Sequence, residues 1–353
     1  MTNSIEDLNI LRVRPLVIPA KLTEELPASD ENIKLVSESR KVIENILDGR
    51  DARQIVIVGP CSIHDPEAAI EYAERLRNET AEFKNLFIVM RVYFEKPRTV
   101  VGWKGLINDP DIDSSFNINK GLRLARKLLI DVTELGLPCG TEFLDTTFGQ
   151  YYSDLISWGA IGARTAESQI HRELASGLSM PVGIKNRTDG DLQVAIDGIR
   201  AAAERHLFPT LTKDGAPAIY ETAGNKYCHL ILRGGDRTGP NYNTASIITA
   251  ENLLKEHGLP NNVIVDCSHG NCEKNHDNQK KVVASVCATM TLGHKSIKGI
   301  MLESHLVAGR QVYDPDNLVH GQSITDACLS LDDTIPLLQK LDGAAALNIV
   351  GST

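Results

Sequence analysis

Eight short apolar runs rich in Val and Ile recur along this chain, at 54–59, 86–93, 138–143, 160–164, 181–185, 228–233, 262–266 and 297–303. Most are separated by longer amphipathic stretches with helical spacing, such as 67–77 and 118–135. That alternation is the pattern of parallel strands covered by helices, because strands buried on both faces read as continuous apolar runs. Eight such units predict a closed (β/α)8 TIM barrel within an α/β fold. A doubly wound open sheet is the structural rival, but no Gly-x-Gly-x-x-Gly turn follows the first run. Residues 49–353 are assigned to the catalytic barrel and 1–48 to an N-terminal extension serving assembly or regulation. Within the extension, 11–19 is expected to be extended and 31–47 helical.

A barrel of this kind carries its chemistry at the carboxyl ends of its strands. The apolar runs end there on reactive residues with unusual regularity. They end on Cys61, Arg91 with Lys96 and Arg98, Glu142, Arg164, Lys185, Arg233, Asp266 with His269, and Glu303. One charged strand end is ordinarily a solvated surface residue, but so many together point to one site. Cations converging on a mouth shielded from water repel one another unless anions occupy it. Arg91, Arg164 and Arg233, which can grip an oxyanion with paired hydrogen bonds, together with Lys96 and Lys185, suit a small phosphorylated acid. Arg98 and Thr99 offer a place for a second phosphate. The net charge of −9 sets these local clusters against an acidic background and excludes a general affinity for nucleic acid or anionic membrane.

Cys61, His269, Glu303 and Asp326 form a thiolate, imidazole and carboxylate mixture able to hold a first-row divalent metal. Their spacing is dispersed, and an isolated cysteine or histidine is more often a packing or hydrogen-bonded residue. Cys267 and Cys272 are read as packing residues. The loop Arg233-Gly234-Gly235-Asp236-Arg237-Thr238-Gly239 lacks the Gly-Lys-Ser/Thr ending of a nucleotide-binding loop. Seven scattered cysteines suit reduced thiols, and no membrane helix or signal peptide is visible, so a cytoplasmic location is expected.

Several long motifs stand in fixed order. They are Gly59-Pro60-Cys61-Ser62-Ile63-His64-Asp65, Lys96-Pro97-Arg98-Thr99 followed by Gly102-Trp103-Lys104-Gly105-Leu106-Ile107, Gly159-Ala160-Ile161-Gly162-Ala163-Arg164-Thr165, His171-Arg172-Glu173-Leu174-Ala175-Ser176-Gly177 and Ser323-Ile324-Thr325-Asp326. Together they resemble the class I 3-deoxy-D-arabino-heptulosonate 7-phosphate (DAHP) synthases over nearly the whole chain. The resemblance implies condensation of phosphoenolpyruvate with erythrose 4-phosphate and water at the entrance to the shikimate pathway. It implies one divalent metal, Mn²⁺, Fe²⁺, Co²⁺ or Zn²⁺, on Cys61, His269, Glu303 and Asp326. Phosphoenolpyruvate would lie on Arg91, Lys96, Arg164, Lys185 and Arg233, with Glu142 nearby, and the sugar phosphate on Arg98 and Thr99. Lys96, Glu142, His269 or metal-bound water are the candidates for proton transfer.

The resemblance also implies a homo-oligomer, dimer or tetramer, inhibited by an aromatic amino acid. It places the effector pocket near Phe143, Gly149, Gln150, Leu174, Leu178, Phe208, Thr210 and Tyr220, with Glu6 and Asp7 of the extension coupling it across a subunit interface. Gly149 stands where many phenylalanine- or tyrosine-sensitive relatives carry proline, so tryptophan is the favoured effector. Two other functions compete. One is a synthase of the same barrel group acting on arabinose 5-phosphate, set apart by the Lys96-Pro97-Arg98-Thr99 motif, and the other is a non-catalytic metabolite sensor, for which all four metal ligands would be superfluous.

Overall fold

The computed structural model describes residues 5–98 and 102–350, the side chains of 349 and 350 excepted. Thr99 therefore lies outside the described residues. Strands β1 (Gln54–Gly59), β2 (Leu86–Arg91), β3 (Cys139–Glu142), β4 (Ile156–Ile161) and β5 (Val182–Lys185) follow one another side by side. An antiparallel hairpin of β6 (Leu207–Leu211) and β7 (Pro217–Glu221) then stands outside the sheet. The sheet resumes with β8 (Cys228–Leu232), β9 (Val263–Asp266) and β10 (Ile297–His305). β10 returns to pair in parallel with β1, from Ile55 opposite Gly299 to Gly59 opposite Glu303, and so closes an eight-stranded barrel. Short strands β11 (Val307–Arg310), β12 (Gln322–Ser323) and β13 (Leu329–Ser330) decorate its mouth.

The helices are α1 (Pro19–Glu25), α2 (Asp30–Leu47), α3 (Pro66–Thr80), α4 (Ile118–Glu134), α5 (Gly149–Tyr152), α6 (Gln169–Gly177), α7 (Gln193–Ala202), α8 (Thr244–Glu256), α9 (Gln279–Thr291) and α10 (Leu331–Val350). Local chemistry fixes several starts. Asp65 accepts from the backbone N–H groups of Glu67 and Ala68 at 2.9 and 3.3 Å, with Pro66 in the first helical position, where its missing donor costs nothing. Ser29 and Asn32 satisfy each other's backbone N–H groups at the start of α2.

Strand alternation divides the core in two. Ile55 and Ile57 point into the barrel with Val89, Trp158, Ala160, Ile231, Ile264 and Met301, whereas Val56 and Val58 point out toward the helices. The last turns of α2 place Ile43, Ile46 and Leu47 in the inner cluster, so this helix closes the barrel floor. The Trp158 indole N–H donates to His229 Nε2 at 3.1 Å, leaving His229 Nδ1 to donate to the Tyr227 carbonyl at 3.0 Å. Burial holds His229 neutral, its pKa pushed down to about 4.

All eight apolar runs contribute barrel strands, but the fourth is displaced. β4 spans Ile156–Ile161 and leaves Arg164 in the following turn, because Ser157, Trp158 and Gly159 interrupt the Val/Ile character of a fully buried strand. Residues 10–18 form no strand. Asn119 instead accepts from the Val17 N–H at 2.8 Å and donates to the Pro15 carbonyl at 3.0 Å.

Candidate active site

Cys61 follows β1, Arg91 ends β2, Lys96 and Arg98 lie in the loop after it, and Glu142 ends β3. Arg164 follows β4, Lys185 ends β5, Arg233 follows β8, His269 follows β9, Glu303 lies within β10, and Asp326 lies between β12 and β13. All of them line one cavity of about 600 Å³ at the carboxyl end of the barrel. Thus every described catalytic, substrate and metal candidate from the sequence meets in a single volume.

On one side of the cavity, donor atoms of Cys61, Glu303 and Asp326 lie within 4.8 Å of one another. The Cys61 Sγ to Asp326 Oδ2 distance is 3.5 Å, and His269 Nε2 lies 3.7 Å from Glu303 Oε1. Ligands around one small divalent ion stand roughly 3.5 Å apart, so the four side chains fit such an ion in size and donor type. His269 also has the support expected of a metal-binding imidazole. The Asp266 carboxylate lies 2.8 Å from His269 Nδ1, the kind of carboxylate support that orients a metal-binding imidazole, while Nε2 faces Glu303. Burial opposes the Asp266 charge, but His269 and Lys185 outweigh it and hold this carboxyl far below the usual range. His269 itself adopts a left-handed φ of 54°, a strained conformation for a side chain of its size.

Charge organises the rest. Burial and the Glu303 charge raise the Cys61 thiol to about 11, so without a metal it stays protonated. Lys96 Nζ sits 2.8 Å from Cys61 Sγ and 2.7 Å from Asp326 Oδ2. Burial disfavours its charge, but the neighbouring thiol and carboxylates more than compensate and keep it cationic. Arg91 is fully buried, 3.3 Å from Glu303 Oε1 and stacked over Tyr93 at 3.8 Å. Lys185 stands between Asp266 at 3.3 Å and Glu142 at 3.8 Å. Glu95, also in the cavity wall, is raised to about 8 by burial and so adds little negative charge to this cationic surface at neutral pH.

Several supporting residues escaped the sequence reading. Gln279 donates to the Glu303 carbonyl at 3.0 Å and accepts from its N–H at 2.9 Å, fixing the carboxylate's backbone. Asn186 accepts from the Arg233 N–H at 2.8 Å, and Asn271 donates to the carbonyls of Leu232 and Asp266 at 3.0 and 2.8 Å. These amides tie together the loops that carry Lys185, Arg233 and His269. Glycine permits their close approach: a Cβ on Gly235 would stand 2.3 Å from Gly190 Cα, and one on Gly234, whose φ is 71°, 2.5 Å from the Gly270 carbonyl carbon. The glycine pair therefore packs loop against loop. Cys267 is buried as expected of a packing residue, whereas Cys272, equally shielded, also touches the cavity. Asp266 had a readable signal, an acid three residues before His269, but Gln279 at the start of a helix had none.

The effector candidates fall on neighbouring elements. Phe143 is fully buried, stacks on Tyr152 at 6.1 Å, and lies 3.1 Å from where a Cβ on Gly149 would stand. Phe208, Thr210 and Tyr220 occupy the shielded face of the hairpin, with Phe208 opposite Tyr220. At the tip of that hairpin Lys213 donates to the Gln150 carbonyl. Leu174 and Leu178 are partly buried on and just after α6, which reaches the end of the hairpin through Ser176 and Thr222, 2.7 Å apart. Glu6 and Asp7 lie in the exposed N-terminal segment.

A (β/α)8 barrel whose mouth combines metal-ligating donors with a ring of cations defines an enzyme for small phosphorylated acids. Residues 25–339 match the family model described as the DAHP synthetase I family, and the chain belongs to that family. It is 52% identical over 344 residues to the Escherichia coli K12 "Phospho-2-dehydro-3-deoxyheptonate aldolase, Trp-sensitive", covering 97% of this chain and 98% of that one. It is 53% identical over 341 residues to the Phe-sensitive protein of the same organism, covering 96% and 97%. A solved structure of phospho-2-dehydro-3-deoxyheptonate aldolase from Francisella tularensis SCHU S4 superposes with a TM-score of 0.94 at 50% identity, covering 96% of this chain and 99% of that one. The fold, family and enzyme class expected from the sequence all hold. No helix among the described residues is long and apolar enough to cross a membrane.

Proposed function

We propose that this barrel condenses phosphoenolpyruvate with erythrose 4-phosphate and water, giving DAHP and phosphate, at the metal and cation site described above. The observation that carries the reading is the meeting of Cys61, Glu303 and Asp326 with the cationic wall in one cavity. Arg91, Lys96, Arg164, Lys185 and Arg233 hold the phosphate and carboxylate of phosphoenolpyruvate, fixing its methylene carbon toward the sugar aldehyde. Cys61, His269, Glu303 and Asp326 would hold a divalent ion, which when bound would supply Lewis acidity for the aldehyde. The methylene carbon bonds to the aldehyde carbon, water adds at the adjacent carbon, and phosphate departs by C–O cleavage. Proton transfer falls to Lys96, Glu142 and His269. Lys96 is a charged donor facing the metal ligands, and Glu142 lies beside Lys185 on the phosphoenolpyruvate side.

Arg98 and Thr99 take the sugar phosphate. Arg98 is exposed and its Nε donates to the Trp103 carbonyl at 2.8 Å, which positions the guanidinium. A coupled product assay with both substrates tests the activity. In that assay Arg98→Ala is expected to raise the KM for erythrose 4-phosphate about thirtyfold, on the order of 2 kcal/mol, the lower range for losing a charged contact because solvent screens it. The KM for phosphoenolpyruvate should change little. Equal weakening toward both substrates would reassign Arg98 to general attraction.

Tryptophan is proposed as the principal feedback inhibitor, and residues 1–48 as an assembly and regulatory extension of a homo-oligomer. Support comes from Gly149, which spares Phe143 the ring a proline would press against it, since even a Cβ there would stand 3.1 Å from Phe143, and from the exposed Ile5, Leu8, Ile10, Leu11 and Val13, an apolar stretch suited to burial against another copy. The Trp- and Phe-sensitive relatives are nearly equal in identity, so the local residues rather than overall similarity favour tryptophan. Titrating phenylalanine, tyrosine and tryptophan separately should show tryptophan strongest, with a coupling of about 1–3 kcal/mol. Gly149→Pro should weaken it, and deletion of residues 1–16 should blunt inhibition and lower the sedimentation mass together. Stronger inhibition by phenylalanine or tyrosine rejects the effector assignment.

A further inference from the structure

We infer that Arg310 is a second cation for the sugar phosphate, reaching the cavity from the other side of β1 from Arg98. The inference rests on the substrate assignment above and adds a residue to it.

Barrel order supplies the geometry. β1, which leads to Cys61, lies between β2 and β10. Arg98 follows β2, and Arg310 ends β11, which follows β10 directly. Arg98 and Arg310 thus follow the two strands that neighbour β1, and both line the cavity. Of the candidate phosphoenolpyruvate cations, Arg91 and Lys96 belong to β2 and its loop, whereas Arg164, Lys185 and Arg233 come from β4, β5 and β8, farther round the ring. A sugar whose aldehyde faces Cys61 and Asp326 thus directs its phosphate toward the sector bounded by Arg98 and Arg310.

The backbone of Arg310 is held in place. Gly309 and Cys328 exchange hydrogen bonds at 2.8 and 3.1 Å, the Gln311 N–H donates to the Ser323 carbonyl at 2.8 Å, and the Val307 N–H donates to the Gly321 carbonyl at 2.9 Å. Cys328 lies two residues beyond Asp326, so this anchorage couples Arg310 to a metal-ligand candidate. Its side chain is exposed and, among the described residues, has no hydrogen-bond or ion-pair partner. Arg91, Lys96 and Lys185, by contrast, are each matched with a carboxylate. A fixed backbone carrying an unpaired guanidinium at the rim of an anion site is suited to bidentate capture of an incoming phosphate.

The test uses the metal-loaded, full-length enzyme with erythrose 4-phosphate varied at saturating phosphoenolpyruvate. Arg310→Ala is expected to raise the KM for the sugar phosphate about tenfold, as for loss of a hydrogen bond to a charged group. It should leave the KM for phosphoenolpyruvate and the thermal midpoint unchanged, and Arg310→Lys should recover part of the loss. An unaltered sugar phosphate KM, or an equal rise for both substrates, overturns the inference. Absence of condensation by the unmodified enzyme would instead overturn the substrate assignment on which it rests.

Discussion

Exhaustive chelation should abolish condensation, and adding back Mn²⁺, Fe²⁺ or Co²⁺ should restore it. The mixed donor set of Cys61, His269, Glu303 and Asp326 is not selective for one first-row ion, so several should support turnover. Cys61→Ala is the sharper probe. Its thiol is buried and already raised to about 11, so only a bound cation would make it a thiolate at neutral pH. The variant should lose metal on dialysis and lose turnover, while circular dichroism stays that of the folded barrel, because alanine is a small change at that place. Metal content by elemental analysis decides the matter. Wild-type metal retention by Cys61→Ala, or full turnover after chelation, would reject the metal site.

The second large effect is on stability. Trp158→Ala should lower the free energy of unfolding by about 3–5 kcal/mol, read as a lower denaturant midpoint. The indole is fully buried within the barrel among Ile57, Val89, Ile231 and the end of α2, so its removal leaves a void that surrounding strands cannot close. His229 loses its donor at the same time, leaving Nε2 unsatisfied in a site from which water is excluded. Trp158→Phe should cost less, since it keeps most of the volume and forfeits only the hydrogen bond. A loss below about 1 kcal/mol for the alanine variant would mean that the floor repacks.

The barrel was legible because strands buried on both faces leave continuous Val and Ile runs, and the run that misled was 160–164, since the strand begins earlier through Ser157, Trp158 and Gly159, which do not read as such a run. The hairpin at 207–221 was missed for a related reason. Pro209 and Pro217 break the look of strands, although both are tolerated in an edge pair, and Gly215 at φ 76° makes the turn. Cys61, Lys185 and Glu303 could be read from position, since each ends or follows an apolar run. Asp326 could not, because it lies between the short strands after the eighth unit, and it was marked by its donor type and by the Ser323-Ile324-Thr325-Asp326 resemblance. Asp266 was marked as a charged strand end three residues before His269, whereas Gln279 acts through the Glu303 backbone, a relation that chain order alone does not display.

The placement of α2 has a kinetic consequence. Its docking surface is assembled from residues as distant as Ile55 and Met301, so a helix near the amino terminus finds its seat only after the last barrel strand has arrived. Such long-range closure slows folding relative to chains built from local contacts, because the loop entropy is lost before the pairing is gained. While the polypeptide is still emerging during synthesis, Ile43, Ile46 and Leu47 must wait in solvent or against provisional neighbours. A nascent chain stopped before β10 would present both this apolar turn and the unpaired edge of β1, the two surfaces that a chaperone would be expected to shield first.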